Sequence, residues 1–169
     1  ISSIYQRRGE YETALTFLKQ SLDIRREIGD KAGEGTTLNN ISQIYDARGE
    51  YETALTFLHQ SLDIQREIGD KAGMIPTLHN MATISLAKGA AQEFLQLEME
   101  AWKLAHEVNE AIGIYHIGSY MGQVLVQNEM LEEALPFIQG AYQVAHQNQL
   151  PDEAQLAQLL QQIQSHLNP

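Results

Sequence analysis

The sequence predicts an all-α protein, a solenoid of antiparallel helix pairs with about seven full helices behind a partial first one. Three observations predict it. Residues 9–33 and 49–73 are copies, 40 residues apart, that differ only at Lys19/His59 and Arg25/Gln65. The period then continues, because "ISSIYQRRGE" at 1–10 returns as "ISQIYDARGE" at 41–50, "MATISLAKGA" at 81–90 and, more loosely, "MGQVLVQNEM" at 121–130. Inside each period the apolar residues follow three- and four-residue steps, the spacing of amphipathic helices. Self-similarity at such a period marks units that bury their apolar faces on their neighbours.

The elements follow in order. Residues 1–8 read as the tail of a first helix, with Ile1, Ile4 and Tyr5 partly uncovered, inside a partial repeat over 1–29. A chain that starts at Ile1 in mid-helix reads as a piece of a longer protein. The repeat over 30–69 holds helices at roughly 31–48 and 50–68, one striped by Leu38, Ile41, Ile44, Tyr45 and Arg48, the other by Tyr51, Ala54, Leu55, Leu58, Leu62 and Ile64. Gly49 suits a left-handed helix end, and Gly29 and Gly69 do the same for the second helices. Asp30 and Asp70 are expected to cap the following helices by accepting orphan backbone N–H groups. By translation, turns fall near 49, 69, 89, 109, 129 and 149. The repeat over 70–109 contains Pro76, which should kink its helix or delay its start. The repeat over 110–149 is degenerate. A last helix at 151–167, with Pro151 near its first position, carries Leu156, Leu159, Leu160, Ile163 and Leu167 on one face and glutamines on the other, as a cap over 150–169 should.

Composition narrows function by exclusion. The chain has 169 residues, 43% of them hydrophobic, enough for a real core. It has no cysteine, hence no disulfide, thiol nucleophile or thiolate metal site, which fits a cytoplasmic location. Net charge is −11, and residues 90–169 carry ten acids against Lys103 alone. Without a Lys/Arg cluster, neither nucleic acid nor an anionic membrane is expected as a partner. No apolar run is long enough to span a bilayer.

The residues at the repeat positions resemble the tetratricopeptide repeat. Its first helix asks for a large residue, a hydrophobe, a small residue and a tyrosine, filled here by Leu38, Ile41, Ser42 and Tyr45. Its second helix asks for small, large and small residues, filled by Ala54, Leu58 and Ser61, by Ala14, Leu18 and Ser21, and by Ala134, Ile138 and Ala141. The third repeat departs: Phe94 stands for the alanine, Gly118 for the large leucine, and Trp102 where Leu62 was, so local repacking is expected there. The 40-residue period and "REIGDKAG" in place of a helix-ending proline resemble the long-repeat subgroup of spindle-orientation adaptors, kinesin light chains and bacterial and archaeal regulators. The resemblance implies a right-handed superhelix whose concave face, lined by first helices, holds a peptide or partner segment.

Transferring the family's groove positions selects Ser3, Gln6 and Arg7, then Thr36, Asn39, Asn40, Gln43 and Asp46, then His79, Asn80 and Thr83, then His116, Ser119, Tyr120 and Gln123. Asn and Gln carry donors and acceptors and can clamp backbone amides. The family's carboxylate clamp for chaperone tails needs lysines where this chain has Asn39, His79 and Ser119, so that partner is disfavoured. Catalytic and metal patterns are decoys. His106 and Glu110 in "HEVNE" lack a third ligand, and "GDKAGEGTT" at 29–37 lacks the Gly-Lys-Ser/Thr ending of a phosphate loop. Glu132–Glu133 sits near a helix start, where the dipole favours acids. The expected function is therefore a non-enzymatic scaffold for a protein or peptide partner, with no cofactor and no metal. The alternatives are a regulatory module of a larger protein and an array that self-assembles through its ends.

Overall fold

The computed structural model describes residues 10–167. These form eight helices: α1 (Tyr11–Glu27), α2 (Lys31–Ala47), α3 (Tyr51–Ile68), α4 (Lys71–Ala87), α5 (Ala91–Glu107), α6 (Ala111–Gln127), α7 (Leu131–Asn148) and α8 (Glu153–Leu167). The partial first helix expected over 1–8 lies outside the described residues, and eight full helices stand where about seven were expected.

Every joint between α1 and α8 closes the same way. The residue just past each helix end is left-handed: Gly29 at φ 72°, Gly49 at 74°, Gly69 at 69° and Gly89 at 78°, then Asn109 at 53°, Glu129 at 60° and Gln149 at 54°. The next N–H reaches back five residues, as from Glu50 to the Tyr45 carbonyl at 2.8 Å and from Asp70 to Gln65 at 2.8 Å. This satisfies carbonyls that the helix end would leave orphaned. Asp30 and Asp70 then start the following helices, each accepting from an N–H three residues on, Gly33 and Gly73, at 2.9 Å. Glu110 does the same for α6, accepting from Ile112 at 3.1 Å and from Gly113.

Two expectations are refined. Pro76 does not delay its helix, since α4 begins at Lys71, in register with Lys31 of α2, under the Asp70 cap. The last helix starts at Glu153, two residues beyond Pro151. Asp152 rather than Pro151 supplies its first carbonyl, to the Leu156 N–H at 3.0 Å, while its side chain accepts from the Tyr115 hydroxyl at 2.6 Å.

The chain divides into two compact units, one ending at Leu97 and one beginning at Glu98. In the first, Ala14, Leu15, Leu18, Leu22, Leu38, Ile41 and Ile44 form a buried cluster edged by Tyr11, Tyr45, Phe57 and Ile64. The Tyr45 and Phe57 rings stack at 5.4 Å. Ser61, fully buried on α3, donates to the Gly35 carbonyl of α2 at 2.8 Å. Arg48 to Glu12 at 2.6 Å and Lys88 to Glu52 at 2.5 Å repeat one ion pair a period apart.

In the second unit, Ile117, Met121, Phe137, Ile138 and Ala141 are buried between α6 and α7, and Leu156 and Ile163 are the buried residues of α8. The repacking expected around Trp102 is an exchange of volume. A β-carbon on Gly118 would lie 2.9 Å from Trp102 Cζ3, and one on Gly140 would lie 2.5 Å from Trp102 Cη2. The indole thus fills space that glycines on α6 and α7 leave open, and its ring meets Phe137 at 4.9 Å.

Candidate functional site

The candidate residues lie on first helices, α2 and α4 in the first unit and α6 in the second. Helical spacing puts Thr36, Asn40, Gln43 and Asp46 along one side of α2, because residues three and four apart are neighbours on a helix surface. Thr36, Gln43 and Asp46 are exposed and Asn40 is half-buried. The Thr36 hydroxyl is turned to its own helix, donating to the Ala32 carbonyl at 3.0 Å. The amides of Asn40 and Gln43 make no side-chain hydrogen bond among the described residues.

Asn39 lies lower, 7% exposed. Its Oδ1 accepts from Asn80 Nδ2 on α4 at 3.0 Å. This bond brings the strips of α2 and α4 together, and it uses part of the hydrogen-bonding capacity expected for a partner. His79 and Thr83 are half-buried, and the Thr83 hydroxyl donates to the Asn80 carbonyl at 2.9 Å. Asp46 makes no side-chain hydrogen bond or ion pair among the described residues, and burial pushes its carboxyl above the usual aspartate range. Ser3, Gln6 and Arg7 lie outside the described residues.

In the second unit α6 carries its own strip. His116 and Gln123 are exposed, Ser119 and Tyr120 half-buried. The His116 ring meets Tyr115 edge-on at 4.9 Å. Burial, and after it the negative charge of Glu98, pushes the Tyr120 hydroxyl up. Glu98 itself was not selected from the sequence. It is fully buried on α5, at the register position that Leu18, Leu58 and Ile138 occupy in α1, α3 and α7. Counting in 40-residue steps would have exposed an acid at a core position.

Among the described residues no group of three His, Cys, Asp or Glu could hold a metal ion. No described helix is long and apolar enough to cross a membrane.

Helix pairs joined every 20 residues by one kind of turn define a helical repeat protein. Residues 1–67 match the model of the tetratricopeptide repeat family. No curated protein matches the sequence. Among solved structures, aspartyl phosphate phosphatase F from Bacillus subtilis is 10% identical with a TM-score of 0.66, over 99% of this chain and 47% of that one. BtubC (BKLC) from P. vanneervenii is 14% identical with a TM-score of 0.70, over 99% of this chain and 78% of that one. A Rap protein complexed with Competence and Sporulation Factor is 15% identical with a TM-score of 0.65, over 99% of this chain and 51% of that one. The chain thus spans about half the length of the phosphatase and the Rap protein. At these identities the likeness is one of fold.

Proposed function

We propose that the protein is a non-enzymatic interaction module that holds a peptide or helical segment of a protein partner on its first-helix face. The Asn39–Asn80 hydrogen bond carries this reading, because it fixes the α2 and α4 strips side by side. Beside it, Asn40 and Gln43 offer amides with donors and acceptors at once, the chemistry that pairs with a partner's backbone. The Rap neighbour, in complex with a factor, supports a binding role for this fold. The name of the phosphatase neighbour does not transfer, since fold alone does not carry activity.

Selection of short random peptides against the full chain tests the proposal. A family of binders should enrich, and Asn40→Arg/Gln43→Arg should abolish its binding while the helical circular dichroism stays unchanged. A selection with no enriched family, or binders indifferent to the double variant, would overturn the reading.

One observation favours self-assembly as a second reading. Ile24 on α1 and Ile28 just past its end are 57% and 69% exposed. An apolar edge of this kind can pair with another copy. If so, sedimentation should show association that Ile24→Glu/Ile28→Lys removes, whereas a monomer at high concentration rejects it.

A further inference from the structure

We infer that the segment held on the α2 face brings a lysine or arginine side chain to Asp46, so that the partner segment is basic. The inference rests on the function proposed above and names the chemistry of its occupant.

The placement of Asp46 is the first argument. It stands in the last turn of α2, which contains no basic residue. The carboxylate therefore adds to the negative end of the helix dipole, an arrangement that disfavours an acid and favours a cation. The fold does not ask for an acid here, since the same register position holds Leu86 in α4 and Val126 in α6.

The surroundings are the second. Arg48, two residues on, is committed elsewhere, through Nη1 to Glu12 and through Nε to Glu50, both at 2.6 Å. Asp46 has no side-chain hydrogen bond or ion pair among the described residues, and it caps no helix. The described strip beside it on α2, Thr36, Asn39, Asn40 and Gln43, is neutral. Partial desolvation makes the bare charge costlier than in open water, which an arriving ammonium or guanidinium would relieve. At long range the net charge of −11 draws cationic segments in.

The peptide selection described above decides the point. The enriched family should share a Lys or Arg at one fixed position. A representative peptide should bind Asp46→Asn about tenfold more weakly, the loss of one charge-assisted hydrogen bond. Asp63→Asn, which removes an exposed acid on α3, should leave its affinity within about twofold. Enriched peptides without a shared cation, or equal affinity for Asp46→Asn and the unaltered chain, would overturn the inference while leaving the interaction face standing. Failure to enrich any family brings down the face, and the cation site with it.

Discussion

Trp102 and Gly118 exchange volume across α5 and α6: a β-carbon on Gly118 would lie 2.9 Å from the indole Cζ3 and 2.7 Å from the Phe137 carbonyl oxygen. Trp102→Leu should leave a cavity and cost about 2–4 kcal/mol. Gly118→Leu should overpack by about 1–3 kcal/mol or more, because the backbone of α7 is in the way as well as a movable ring. Combining the two restores the residues of the earlier repeats. The double variant should then be more stable than the sum of the single losses by about 1 kcal/mol or more, measured by urea unfolding. Additive losses would mean that the two volumes are independent.

The two copied stretches differ at Arg25 and Gln65, and the two positions differ in burial. Arg25 is about one-third exposed and bonds Asp30 at 2.6 Å. Gln65 is 2% exposed, with its Cγ 3.4 Å from where a β-carbon on Gly35 would stand. Gln65→Arg should cost about 1–3 kcal/mol, even with Asp70 placed to meet it, because a longer charged side chain must fit beneath Gly35. Arg25→Gln should change stability by less than about 1 kcal/mol. Thermal unfolding of both variants checks the asymmetry.

Glu34 on α2 is 6% exposed, with Oε1 2.8 Å from Arg26 Nε and Oε2 3.4 Å from Lys31 Nζ. The Arg26 hydrogen bond, against the opposing effect of burial, holds its carboxyl below the usual glutamate range. A carboxyl depressed in the fold gives stability that is present above its unfolded pKa of about 4.3 and lost as pH falls through the folded value. Glu34→Gln should therefore cost about 0.5–1 kcal/mol at neutral pH and nothing at pH values below the folded pKa. Urea titrations across that range should show the two curves converge.

Glu129 adopts φ 60°, the conformation that glycine supplies at 49, 69 and 89. A non-glycine residue there is strained by about 1 kcal/mol. Glu129→Gly should recover about 0.5–1 kcal/mol and raise Tm by a few degrees. An unchanged Tm would mean that the strain is relieved locally.

The turns were legible because a repeated local geometry needs repeated local chemistry. "GD" fixed the joints after Gly29 and Gly69, and counting placed those at Asn109, Glu129 and Gln149, where no glycine marks them. The α8 boundary was less legible, because Asp152 is drawn off to Tyr115 by a contact 37 residues away. The fate of Asn39 could not be read from α2 alone, since Asn80 decides it. Glu98 went unnoticed because an acid on an amphipathic helix reads as surface unless its register is counted. The difference between Arg25 and Gln65 was visible in the sequence, but its meaning depends on which helix lies over each position.

Two nearly identical helices pose a hazard while the chain is folding, since α1 could dock where α3 belongs and trap a misregistered state. The Gln65 site offers a means of rejection. A guanidinium in that place would have to be buried against Gly35, while the neutral amide fits, so this one difference within the duplicated stretch should penalise the exchanged docking.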